Sequence, residues 1–178
     1  MSIPNEPESG VLLCGIIRRP ETSREKIISR LENEFGPVDA QSEEFPFYLT
    51  TYYEPEMGEN LLRSFLTFEK HVSPANHAQI KLKTNKIESE FIKAGNREVN
   101  LDPGLLTAHN LILTTCKDFS HRIYIRDGVF AEVTLMVDKG KLAPLPWTYP
   151  DYQLPEVLDF FEKQRQNFLA FRKNIKSP

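Results

Sequence analysis

The stretch "VLLCGIIRRPETSREKIISRLENEFGP", residues 11–37, decides the fold, because it holds a strand and a helix in direct succession. Val11 to Ile17 is a continuous apolar run bounded by Gly10 and Pro20, the pattern of a strand covered on both faces and placed centrally in a sheet. Thr22 or Ser23 then caps a helix running to Phe35. Ile27, Ile28, Leu31 and Phe35 recur along it at helical spacing, and Gly36-Pro37 supplies the stop.

Working outward, Phe47 to Tyr53 is aromatic and β-branched and reads as a strand ending in a bend. Leu61 to Val72 reads as another, with Leu62, Ser64, Leu66 and Phe68 on one side and Leu61, Arg63, Phe65 and Thr67 on the other. Ser73-Pro74 opens a helix expected to reach Ala94 and close at Gly95, with Ile80, Thr84, Ile87 and Phe91 inward. Asp102-Pro103-Gly104 matches a type II turn. Asn110 to Cys116, His121 to Arg126 and Val129 to Val137 follow as a meander, its second turn being Asp127-Gly128. Pro144 to Pro155 is irregular and aromatic, and a last helix spans Pro155 to Ile175 with Leu158, Phe161, Phe168 and Leu169 inward.

This order predicts the α+β class: a mostly antiparallel sheet with helices packed on one face, built on an elaborated ferredoxin-like core. The 178 residues suit a single domain, 1–178, with residues 1–10 as a polar tail. A net charge of -3 gives no basic field for a phosphate backbone, so nucleic acid is not an expected partner. The C-terminal cations Lys163, Arg165, Arg172, Lys173 and Lys176 read as complements to a helix terminus. Cys14 and Cys116 sit in strand-like runs and read as small hydrophobes, so no disulfide is implied. The longest apolar run is far short of the ~18 residues of a membrane span and the N-terminus lacks the pattern of a signal peptide; a cytoplasmic protein is expected, with no membrane partner.

Neither a P-loop nor a G-x-G-x-x-G is present, nor a G-x-S-x-G elbow. The four histidines lack zinc-pair spacing, so no metal is expected, and no motif names a cofactor. The chemistry left is in "TTCKDFSHRIYIRDGVFAEVTL", residues 114–135. If Asp127-Gly128 is a two-residue turn, Ile125 pairs with Phe130, Ile123 with Glu132 and His121 with Thr134. His121, Glu132 and Thr134 then share an apolar face, with Arg122 and Tyr124 on the other. A carboxylate there needs a partner, and one beside an imidazole favours the charged ring, as a general base or anion binder requires.

His121 and Glu132 are therefore the candidate catalytic pair, and Lys117, Arg122 and Thr134 candidate ligand-binding residues. Tyr52, Glu54 and Glu56 would share a face if extended, and Tyr52 and Glu54 join the candidates. In "PLPWTYPDY", Trp147 and Tyr149 suit a pocket wall or stacking platform. For each set the competing reading is structural: a sheet ion pair, an ordinary loop and an edge cover.

The segments "TYYEPEMG", "IKLKTNKIE", "NLDPGLL", "HRIYI", "GVFAEVTL" and "WTYPDY" together resemble, over nearly the whole chain, a family of uncharacterised prokaryotic proteins classified as a domain of unknown function. Some relatives carry the label GTP-binding protein, and the resemblance implies no known activity or site residues. The expected function is binding of, or action on, a small anionic ligand, phosphorylated or nucleotide-like. The alternative is a non-catalytic interaction or assembly module, a homo-oligomer formed through a sheet edge or through the C-terminal helix with its Phe160, Phe171 and Ile175.

Overall fold

The computed structural model describes residues 1–176, and side chains through Asn174; Ile175 and Lys176, named above for their side chains, lie outside the described ones. In chain order the elements are β1 (Gly10–Arg18), α1 (Arg24–Phe35), β2 (Val38–Gln41), β3 (Phe45–Pro46), α2 (Glu54–Met57), β4 (Leu62–Val72) and α3 (His77–Ser89). There follow β5 (Ile92–Lys93), β6 (Asn96–Arg97), β7 (Val99–Leu106), β8 (Asn110–Thr115), β9 (Ile123–Arg126), β10 (Val129–Asp138), β11 (Lys141–Pro144) and α4 (Pro155–Lys176). Short 3-10 turns at Pro74–Asn76 and Pro150–Gln153 lead into α3 and α4.

Among the described residues nine strands form one antiparallel sheet along β11-β10-β8-β7-β1-β4-β2, with β3 added beside β4 and β9 beside β10. The class is α+β, and β1 is central and buried along its whole length, as its apolar run requires. Within β7-β1-β4-β2, α1 links β1 to β2 and α3 stands between β4 and β7, so each helix crosses over one intervening strand. Ser23 caps α1 by accepting from the Lys26 amide at 3.2 Å, and Gly36 ends it at φ 97, as the sequence predicts.

The helices cover both faces rather than the one expected. Leu12, Cys14 and Ile16 point to α1 and α3, where Ile27, Leu31, Ile80 and Ile87 meet them. Val11 and Leu13 point the other way, to Val157, Phe161 and Phe168 of α4. Both faces of β1 are apolar, so each needs its own cover.

Three further expectations are corrected, and short strands appear that none of them covered. Phe47 to Tyr53 is not a strand; β3 ends at Pro46, and Phe47, Tyr53 and Met57 fold over Ile17 as a separate small core. The helix after Ser73 stops at Ser89, and Ala94-Gly95, at φ 50 and 82, is instead the tip of the β5-β6 hairpin. The short strands β2 and β11 have too few residues to show a period, and neither is foreseen.

Asp102-Pro103-Gly104 does not turn but lies inside β7. Pro103 has no N–H to give, and the ladder to β8 starts one residue later, at Gly104 opposite Leu113. Gly104 is there for close approach: a Cβ would stand 2.6 Å from the Ile112 carbonyl oxygen and 2.8 Å from Leu113 Cδ2.

Candidate functional site

The sheet face beneath α4 changes character along its strands. At one end Leu13, Leu111, Leu113 and Leu135 meet the helix. Toward the other end the register places Asp102 opposite Gly15, Arg63 and Asn100 on either side of Ile17, and Glu132 opposite Leu113, all facing the same way. This polar end is roofed by the segment around α2, by the 3-10 turn at Pro150–Gln153 and by the loop before β9.

The Asp127-Gly128 turn forms as predicted, with φ 53 and 74, and Arg126 pairs with Val129. The register then slips: Tyr124 meets Phe130 and Ile123 meets Ala131, leaving Ile125 as the extra residue of a bulge. The aromatic pair Tyr124 and Phe130, 5.4 Å between rings, sits at the new register. A slip of one residue reverses the faces, so Ile123 turns to solvent and Arg122, expected on the far side, turns toward Glu132.

Glu132 is thereby enclosed. Arg122 Nε donates to its Oε2 at 2.8 Å, His121 Nε2 lies 3.1 Å from the same oxygen, and Thr134 Oγ1 donates to Oε1 at 3.3 Å. Thr134 reaches it because a second bulge, between Val133 and Leu135, leaves Thr134 without a partner on β8. The His121 contact is the one foreseen, but it is made from the turn preceding β9, not from the strand. The Glu132 side chain is 1% exposed, so these partners are what make a carboxylate tolerable there.

The network continues through all three roofing segments. Arg122 Nη2 donates to the Tyr149 hydroxyl at 2.6 Å and Nη1 to the Lys117 carbonyl at 3.0 Å. Lys117 Nζ donates to the Tyr52 hydroxyl at 2.5 Å. Trp147 stacks on His121 with 5.5 Å between centroids and a 13° tilt, and its indole N–H donates to the Val133 carbonyl at 2.8 Å. Burial and then Glu132 push the Tyr149 phenol up to about 12, against the pull of Arg122. On its other side His121 lines an open cleft of about 640 Å³ with Phe119, Ser120, Pro146 and Trp147.

Eight of the nine candidate residues are thus linked by direct contacts: Tyr52, Lys117, His121, Arg122, Glu132, Thr134, Trp147 and Tyr149. Glu54 is not among them. It opens the helical turn α2, so Tyr52, Glu54 and Glu56 do not share an extended face, and Glu56 instead accepts from Arg97 at 2.9 and 3.1 Å. Cys116 is exposed rather than a core hydrophobe, whereas Cys14 is buried. The C-terminal cations are partly spent on structure, with Arg165 donating to the Ala108 and Gly140 carbonyls and Arg172 pairing with Glu8.

Sequence reasoning missed the second half of the polar floor. Arg63 is 1% exposed and lies flat over Gly15, where a Cβ would stand 2.9 Å from its Nη2. Its Nε donates to Asp151 at 2.8 Å and its Nη1 to Asp102 at 3.0 Å, while the Phe65 ring lies 4.5 Å away. Burial works against the Arg63 charge, but Asp151, then Tyr152 and Asp102, outweigh it and hold the guanidinium above its ordinary value. Burial pushes the Asp151 carboxyl up, against the pull of Arg63. Asn100 Nδ2 donates to Asp102 Oδ1 at 2.9 Å. The available signals were an arginine on the Phe65 side of an apolar strand and a glycine within the central one.

Fold and site together define an α+β domain with a buried polar network at one end of an antiparallel sheet. The chain belongs to the family described as a domain of unknown function, DUF4416, which it matches over residues 8–168. No curated protein and no solved structure matches it. Among the described residues no helix is long and apolar enough to cross a membrane, and no three His, Cys, Asp or Glu side chains group as metal ligands.

Proposed function

We propose that the protein binds a small anionic ligand, phosphorylated or nucleotide-like, at the network around Glu132, with His121 and Glu132 as an acid–base pair. The observation that carries this reading is a set of unspent donors. Lys117 has no carboxylate partner among the described residues. The hydroxyls of Tyr52 and Tyr149 already accept from Lys117 and Arg122, which leaves their own protons to donate. The carboxylate at Nε2 selects the imidazole tautomer protonated there, so Nδ1 is the basic nitrogen of a ring that lines the cleft. Phe119 and Trp147 offer a flat ring of the ligand something to stack on.

A thermal-shift panel of nucleotides and sugar phosphates tests this. A ligand held at ~100 times its Kd adds ~2.7 kcal/mol of stability. The wild-type Tm is expected to rise with at least one phosphorylated compound, and His121→Ala and Glu132→Gln to lose the rise. A shift equal in both variants, or none in the wild type, removes the reading.

A second reading, self-association, is favoured by one surface: β9 is a sheet edge whose Ile123 and Tyr124 are 74% and 59% exposed. Light scattering is expected to show a dimer that Ile123→Lys converts to monomer; a wild-type monomer at high concentration ends that reading. The ferredoxin-like reading of the core rests on the β7-β1-β4-β2 order with its two helical crossovers.

A further inference from the structure

Beside the Glu132 network lies a second polar centre that an anion does not account for. Arg63 faces two carboxylates, Asp102 and Asp151, and with both ionised the group carries surplus negative charge. Asp151 is the more deeply buried, its side chain 6% exposed, while that of Asp102 is 26% exposed, so the surplus is reachable at Asp102. That carboxylate is already aimed, since Arg63 holds Oδ2 and the neutral amide of Asn100 holds Oδ1. The next cation, Arg97, is spent on Glu56 and Glu88.

Two tyrosines pack beside the Arg63 guanidinium that holds this carboxylate: the Tyr152 ring lies 5.4 Å from it, and the Tyr149 ring lies 6.4 Å from that of Tyr152. Burial, with the charge of Asp102 adding to it, pushes the phenols of Tyr53, Tyr149 and Tyr152 upward. Tyr152 is 1% exposed, and its Oη is buried with no hydrogen-bond partner among the described residues. Tyr149 accepts from Arg122 of the Glu132 network and packs against Tyr152, so it borders both polar centres. An orphaned hydroxyl, an oriented carboxylate and aromatic rings are what a compact ammonium requires: it donates to the carboxylate and to phenol oxygens and is attracted by the ring faces.

We propose that Asp102 seats a primary ammonium of the ligand, so that the bound molecule is a zwitterion with its anionic end toward Lys117 and His121. This rests on the anion-binding reading for the second end only. Tyr149 links the two centres, its ring against Tyr152 and its hydroxyl oxygen taking one hydrogen bond from Arg122.

The probes are aminoalkyl phosphates of two to four carbons, the matching alkyl phosphates without the amine, and the matching alkylammonium salts without the phosphate. Binding to the full chain is read by titration calorimetry. At least one aminoalkyl phosphate is expected to bind ~10-fold more tightly than its amine-free counterpart, the scale of a charge-assisted hydrogen bond. Asp102→Asn is expected to erase that ratio while keeping the affinity for alkyl phosphate, and His121→Ala to weaken both. Should Asp102→Asn fail to fold, Asp102→Glu, which moves the charge, is expected to reduce the ratio. Equal affinities within every pair, or a ratio unchanged in the Asp102 variant, overturn the ammonium seat and leave the anion site standing. Asp102-dependent binding of alkylammonium without binding of any phosphate keeps the seat and overturns the anion reading; no binding of any probe overturns both.

Discussion

Arg63→Met is expected to lower the stability to urea by about 3–5 kcal/mol, the usual cost of removing one partner from a buried ion pair. Methionine fills much of the volume over Gly15, so the loss is electrostatic rather than a cavity: Asp151 remains buried with no counter-charge, and Asp102 loses one of its two donors. The double variant Arg63→Met with Asp151→Asn is expected to recover part of the loss, because the stranded charge goes with the arginine. The pH dependence has a definite sign. An Asp whose folded carboxyl is raised above its unfolded value binds more protons folded than unfolded, so stability falls as pH rises through that window. Burial already pushes Asp151 up with Arg63 present, and without it the carboxyl rises further. The penalty of Arg63→Met is therefore expected to shrink between pH 7 and pH 5. A loss below about 1 kcal/mol at pH 7 would mean that the pair is a tenant of the fold rather than a support.

The parts of the fold that were legible depend on neighbours in sequence. A seven-residue apolar run, a serine three residues before the amide it caps and a glycine after the last turn are local signals, and β1 and α1 follow from them. The Asp127-Gly128 turn was legible for the same reason, but the register beyond it was not. A bulge depends on what the second strand packs against, and this one moved Ile123 from Glu132 to Ala131 and brought Arg122 to Glu132 instead. Asp102-Pro103-Gly104 shows the converse error: its residues suit a turn, yet Gly104 is set by the Ile112 carbonyl of the neighbouring strand. The pairing of His121 with Glu132 could be argued because 11 residues and one turn separate them. Arg63 and Asp151 are 88 residues apart, and no local pattern joins them. A buried arginine in an apolar strand implies a carboxylate somewhere, but the chain must fold before it says which one.

The stability of the whole chain is expected to fall by about 3 kcal/mol as pH drops from 7 to 4, through His77. His77 is the first residue of α3, 3% exposed, with Nε2 buried and lacking a hydrogen-bond partner among the described residues. Burial lowers its pKa to about 4, and the positive end of the helix gives the imidazolium no help. The unfolded chain takes up this proton near the ordinary histidine value of ~6.5 and the folded chain does not, so between those values stability rises with pH. It is fully present above ~6.5 and lost toward 4. Burial lowers His71 in the same direction, whereas Glu34, held below its ordinary value first by Lys83, loses its contribution only in more acid solution. The difference between wild type and His77→Leu isolates the effect. Leucine keeps the site filled and removes the proton, so the two urea-derived stability curves are expected to diverge steadily below pH 6.5 by up to one proton's slope, ~1.4 kcal/mol per pH unit. Parallel curves would show that His77 finds a way to carry its proton inside the fold, most simply by the first turn of α3 opening to water.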